Sequence, residues 1–490
     1  MRSFFTFFRY HSSNLLLFLG FSWLLGCYFW QTAQLPLWDY DAGRNYQILQ
    51  KLTQGDFQDF FHHLSPLFYL FFLPFFQVSS QPFFLLWISI LCSLLVLYVG
   101  YRAFAGQHPG WWVLGWASSF FMVHVGRYFS IEAPSLLCWV LWLYCYFQEK
   151  GKPWQRDLLL AAMILINYKA VLLIGIGAVW ALVLGIFSFK RLLQAALTIG
   201  LCIGIFVLFG MLQGLPWYRY PAGFWGLLEN PTLQGSQNNQ FEWQYYFEYF
   251  IYFENPLLIG SLLALLYLFF KKQIPHVSLK EKYILLTAAS YFVVMCLLPK
   301  APRGLLFCYP IFYWTAFRIW QQCLSARPWL LYSLVLASIS LQTLRLHQHL
   351  YLAAPNPYPE VAAYLKEKNI AALATTASFA LLPYLDPPTQ VYPLLNAEAM
   401  GKLQAQGIEY LLIDDAYRVA ALHSFDTLAQ LPALRTWPAS HWGRTMLHLE
   451  HSEFTGKGFG ASLEAAQRLA QKPPLLRLIV LPQANGAAHK

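Results

Sequence analysis

Charge is what this chain has least of. Asp, Glu, Lys and Arg make up 11% of its 490 residues, against roughly 25% in soluble domains, while 58% are hydrophobic and 18% aromatic. A surface of that composition cannot be solvated as a globular domain, so the deficit implies membrane spans. Cysteine pairing motifs are missing too. All eight cysteines lie in or beside apolar runs and none has CxxC spacing, which argues against a disulfide framework and a cysteine zinc site. There is no internal repeat and no glycine-rich nucleotide loop in the polar tail. No small-x-small cleavage site follows the first apolar run, Asn14 to Trp30, which therefore reads as a retained span and not a signal peptide.

What is present is a series of apolar runs near the 17–25 residues that a span needs. They sit at about 14–34, 82–101, 111–127, 133–148, 193–214, 256–270, 282–298, 304–320 and 328–345. A further run, Leu158 to Phe187, is interrupted by Asn167, Tyr168 and Lys169, and reads as one overlong helix or two short ones. Basic residues decide. Lys150, Lys152 and Arg156 precede this run and Lys190 and Arg191 follow it, and short basic loops belong on the cytoplasmic side. The chain must cross twice, leaving Lys169 near the outer tip.

The same rule places Arg2, Arg9, Arg102, Lys271, Lys272, Lys280, Lys282, Arg318 and Arg327 on that side. The net charge of +10 is therefore largely topological and calls for no nucleic-acid partner. The expectation is a polytopic α-helical inner-membrane protein of about eleven transmembrane helices, N-terminus cytoplasmic. Leu64 to Phe76, too short to cross and carrying two prolines, reads as a re-entrant or interfacial helix in the first outer loop. After about Leu350 the pattern changes. Residues 1–350 form the expected membrane domain, and 351–490 a C-terminal α/β domain on the periplasmic side. In the tail, Glu360 to Lys368 and Ala397 to Gln406 read as helices; Ala371 to Thr376, Thr389 to Leu395 and Glu409 to Asp414 read as strands.

This topology collects ionisable residues at the outer face: Asp39, Asp41, Arg44, Asp56, Asp59, His62 and His63 in the first loop, Arg127 and Glu132 in the second, then Lys169, Arg219, Glu242, Glu248, Glu254, Lys300 and Arg303. Several border apolar runs, where a charge is costly unless it is paired or faces a wet cavity. Acids and bases from scattered loops at one depth point to one polar site. Each has a plainer reading: a solvated loop acid, or an arginine such as Arg127 snorkelling to the interface. His62 and His63 are the candidate ligands for a divalent metal.

The stretch WDYDAGRNYQILQKLTQGDF, followed by HHLSPLFYLFFLPFF, resembles the first outer loop of GT-C membrane glycosyltransferases, in particular the protein O-mannosyltransferase and aminoarabinose transferase branch. GRYFSIEAPSLL is similar to that class's second loop, INYKAVLL to its "L-T-K-G" segment, and PRGLLFCYPIFY to its late arginine-bearing span, all in the same order over about 35 to 345. The first loop departs from the pattern, because Asp41 is followed by Ala42 while Asp39 lies two residues before it. His63 is displaced by one from the basic position before the proline element.

The resemblance implies an inverting transfer of sugar from a polyprenyl-phosphate donor to an acceptor hydroxyl on a lipid, glycan or protein. It implies a carboxylate base, Asp41 or Asp39, with Glu132 orienting the acceptor or a metal, and Lys169, Arg303 and Arg127 meeting the phosphate. The competing class is a transporter or flippase, which calls for mid-span charges between inverted repeats.

Overall fold

The computed structural model describes residues 2–30, 37, 40–61, 65–104, 109–219, 222, 242–351, 356–376, 380–385, 389–394, 396–414, 425–439, 445–471 and 475–481. Asp39, His62 and His63 lie outside the described residues.

The apolar runs read from the sequence fall largely on helix: Arg2–Phe29, Pro82–Ala103, Glu132–Phe147, Phe189–Leu212, Pro256–Phe270, Leu279–Leu297, Tyr309–Cys323 and Pro328–Leu346 as single helices, the run at 304–320 beginning in a 3-10 turn. The 111–127 run is split into Pro109–Ala117 and Phe120–Gly126, because the Ser119 side chain accepts from the Met122 amide and caps a new helix start. Among the described residues three helices, Pro82–Ala103, Phe189–Leu212 and Trp329–Leu350, are individually long and apolar enough to cross a bilayer. Trp243–Tyr252 and Pro256–Phe270, bent by 112°, qualify only as a broken pair. The number eleven thus rests on the basic-loop ordering and not on helix length.

The interrupted run resolves into two helices, Pro153–Ile166 and Ala170–Val183. Asn167 leaves the helical backbone, and its side chain accepts from the Lys169 amide at 3.1 Å. The Arg191 guanidinium donates to both Asp157 carboxylate oxygens, at 2.6 and 2.8 Å. A straight helical path from 157 to 191 would separate them by about 50 Å at 1.5 Å per residue, so the chain returns to the end it left, as the basic loops require. Ion pairs Lys280 with Glu149 and Arg318 with Glu281 join other loops read as cytoplasmic. The expected first-loop helix is present as Pro66–Val78.

In the tail, β1 (Ala372–Thr375), β2 (Gln390–Pro393), β3 (Tyr410–Asp414), β4 (Ala433–Pro438) and β5 (Leu475–Val480) form one sheet in the order β2-β1-β3-β5-β4. β1 pairs in parallel with β2 and β3, while β5 runs antiparallel to β3 and β4. Alternate residues face opposite cores: Leu373, Leu412 and Leu478 pack with Tyr358 and Trp437, and Ala374, Leu411, Ile413 and Ile479 with Met400 and Phe425. Between β4 and β5 the chain leaves this sheet. Helices Thr445–Glu450 and Ser452–Thr455 carry it back to the bundle, where Met446, Leu449 and Phe459 share a core with the apolar helices.

Glu254, at the bend between Trp243–Tyr252 and Pro256–Phe270, is fully buried. Its carboxylate accepts from the Ser119 hydroxyl at 2.8 Å, the Phe121 amide at 2.9 Å, and the Tyr249 and Tyr313 hydroxyls at 3.0 and 2.5 Å. Four donors satisfy one acid, which makes it a knot holding a helix break against a bend. Glu254→Ala would strand all four, at roughly 1–3 kcal/mol for each buried unsatisfied group. A fall of many degrees in the melting temperature of the detergent-solubilised protein is expected; an unchanged melting point would contradict this reading.

Candidate active site

Four of the residues singled out in the sequence meet at one place. Asp41 lies in the first turn of Tyr40–Thr53 and Glu132 in the first turn of Glu132–Phe147, where the positive end of the helix dipole favours a carboxylate. Lys169 caps Ala170–Val183 at the helix break, and Arg303 follows Pro302 in a single 3-10 turn, Pro302–Leu305. That turn is tightly seated, since a Cβ on Gly304 would come within 2.8 Å of Met295 Cε and 2.9 Å of the Tyr246 hydroxyl.

Arg303 is the hub. Its Nη1 lies 3.5 Å from Asp41 Oδ2 and its Nε 3.3 Å from Glu450 Oε2, and its Nη2 donates to Glu453 Oε1. Lys169 Nζ donates to the other Glu453 oxygen at 3.0 Å. Glu132 is buried, in electrostatic reach of Arg303 and Glu450, and its Oε2 has no hydrogen-bond partner among the described residues. His124 Nε2 stands 3.7 Å from Glu450 Oε1. Four carboxyl groups therefore surround two cations.

Glu450 and Glu453 come from the tail segment TMLHLEHSEF, and sequence reasoning missed both. In a polar tail an acid reads as solvated. The available signal was their i, i+3 spacing beside Met446 and Leu449 on a helical pattern, one buried face carrying both apolar and acidic residues.

Several other residues of the set read from the sequence are used locally. Asp59 takes Lys51 at 2.7 Å and Arg44 at 3.2 Å, and Glu242 lies 3.9 Å from Lys300. Arg127 is 1% exposed and donates to the Trp30 carbonyl at 2.8 Å. That bond fastens the chain just past the first helix. It shows no snorkelling side chain. No group of three or more His, Cys, Asp or Glu able to hold a metal occurs among the described residues.

The two tail acids are set in opposite protonation states. Burial, reinforced by Glu132 and Glu453 against Arg303 and Lys169, pushes the Glu450 carboxyl from 4.5 up to about 8. Burial also works to raise Glu453, but Arg303 and Lys169, by charge and hydrogen bonds together, outweigh it and hold the group at about 2. The folded protein thus keeps the Glu450 proton to higher pH than the unfolded chain does. That contribution to stability is lost as pH rises from 4.5 through about 8. Glu450→Gln is expected to remove this loss, giving a smaller fall in melting temperature between neutral and alkaline pH than in the parent. An equal fall would place the titrating group elsewhere.

The chain is thus a helical bundle with shorter helices between its long ones, a polar cluster and an α/β tail docked onto it. Two solved structures of ArnT, an aminoarabinose transferase, from Cupriavidus metallidurans share this fold. The one bound to undecaprenyl phosphate matches with a TM-score of 0.57 at 13% identity, over 96% of this chain and 98% of that one. The apo structure matches at 0.54 and 12% identity, over 87% and 96%. At such identities the likeness is one of fold, and at that level it agrees with the resemblance read from the motifs. No protein-family model matches the chain, and no curated protein sequence matches it.

Proposed function

We propose that the chain is an inverting glycosyltransferase of the inner membrane, moving a sugar from a polyprenyl-phosphate donor to an acceptor hydroxyl at the outer face. The observation that carries this reading is the convergence of Asp41, Glu132, Lys169 and Arg303 from four separate parts of the chain. The ArnT structure with undecaprenyl phosphate supports the choice of donor. In the transfer, the acceptor oxygen attacks the anomeric carbon while a carboxylate takes its proton. The bond from that carbon to the phosphate oxygen breaks, and its electron pair leaves with the lipid phosphate.

Asp41 is the assigned base, with Asp39 the alternative. Glu132, buried with an open oxygen, orients the acceptor. Lys169 and Arg303 stabilise the charge that develops on the leaving phosphate. Residues 1–350 form the membrane domain, with the N-terminus cytoplasmic, and 351–490 the periplasmic domain.

A carrier that keeps its phosphate at the interface and its prenyl chain in the bilayer suits a charged cluster at helix ends. A transporter would place it mid-span. Transfer of labelled sugar by the purified protein in lipid tests the activity. A reporter fused after about Leu350 tests the side: periplasmic signal is expected, and cytoplasmic signal would overturn the outer-face assignment.

A further inference from the structure

We propose that Glu453 is an exchangeable carboxylate: it occupies the donor-phosphate position in the resting protein, and the lipid phosphate enters by displacing it from Lys169 and Arg303. This rests on the donor reading given above and adds how that site is filled and emptied.

The geometry points to exchange in three ways. First, Glu453 spans both cations with its two oxygens, one on Lys169 at 3.0 Å and one on Arg303. A phosphate bridging the same pair would use two of its own oxygens in the same manner. Second, both cations are already engaged. Four carboxyl groups, Asp41, Glu132, Glu450 and Glu453, face Lys169 and Arg303. A phosphate added to that set would find both cations occupied, whereas one replacing Glu453 would inherit its partners. Third, Glu453 is carried by a short element bordered by a left-handed glycine. The element is the four-residue helix Ser452–Thr455, ended by Gly456 in the left-handed region at φ 66° and followed within two residues by Gly458. No strand of the tail sheet includes it, so its retreat does not require the sheet to open.

A plain structural role makes the opposite forecast. If Glu453 only clamps the tail to the bundle, its removal loosens the cation pair and weakens every ligand of the site. The test is binding of undecaprenyl phosphate to the full-length protein in nanodiscs, with undecaprenol as the control lipid. Glu453→Gln is expected to lower the Kd for undecaprenyl phosphate at least about tenfold while leaving undecaprenol unchanged. An equal or higher Kd overturns the exchange.

Because this variant could fold poorly, amide hydrogen exchange of residues 451–456 in the unmodified protein supplies an independent reading. Faster exchange on adding undecaprenyl phosphate marks the release of Glu453; unchanged or slower exchange rejects it. If the unmodified protein binds undecaprenyl phosphate no better than undecaprenol, the donor reading itself falls, and exchange with it. If it does bind the phosphate and the variant binds no tighter, exchange alone is lost.

Discussion

Asp41→Asn is expected to lower turnover by roughly 10²–10⁴-fold, the usual contribution of a positioned general base, with expression and donor binding nearly intact. The substitution keeps the shape of the side chain and its place in the first turn of Tyr40–Thr53. It removes the charge and most of the basicity. Arg303 keeps Glu450 and Glu453 as partners, so the cluster should hold together. Steady-state rates of sugar transfer at saturating donor check the effect. Near-normal rates, with Asp39→Asn inactive instead, would move the base to Asp39; normal rates in both would remove the catalytic reading of this loop.

Lys169→Ala and Arg303→Ala should act on the donor more than on the acceptor. A phosphate at the bilayer edge is poorly hydrated, and charge-assisted hydrogen bonds to it are roughly twice as strong as neutral ones. Losing one is expected to raise the Michaelis constant for the donor by roughly 10–100-fold, with less change for the acceptor. Arg303 should be the more damaging loss, because its guanidinium faces three carboxyl groups at once while Lys169 faces one. Arg303→Lys keeps the charge but not the planar fork, so partial recovery of donor binding is expected and would separate a phosphate role from general instability. Variants that bind the lipid phosphate as tightly as the parent would leave the donor assignment without residues to support it.

The helices were legible because apolar length and basic loops are local signals. The pairing of Asp157 with Arg191 repeats in three dimensions what Lys150, Lys152, Lys190 and Arg191 indicate along the chain. In the tail, β1 to β3 could be read from short apolar stretches, whereas β4 buries only Trp437 of its six residues and offers no alternation to read. Lys169 and Arg303 stood out because a cation beside an apolar run needs a reason. Their partners did not, since Glu453 sits 150 residues from Arg303 and 284 from Lys169 along the chain, beside Glu450 in a segment that looks solvated. Glu254 misled in the opposite direction: it read as one more outer-face acid, and it is the four-donor knot of a helix bend. Only packing separates an acid that serves a site from one that serves the fold.

The central claim is that a sugar leaves a lipid phosphate at this cluster. It is tested most directly by supplying a polyprenyl-phosphate donor with a labelled sugar to the purified protein in vesicles, with a membrane extract as acceptor. Both the sugar and the lipid are then followed. The account predicts one polyprenyl phosphate freed for each labelled sugar transferred, inversion at the anomeric carbon, and loss of both products in Asp41→Asn. Intact donor recovered from the two leaflets, with no phosphate freed, would contradict it and identify a flippase.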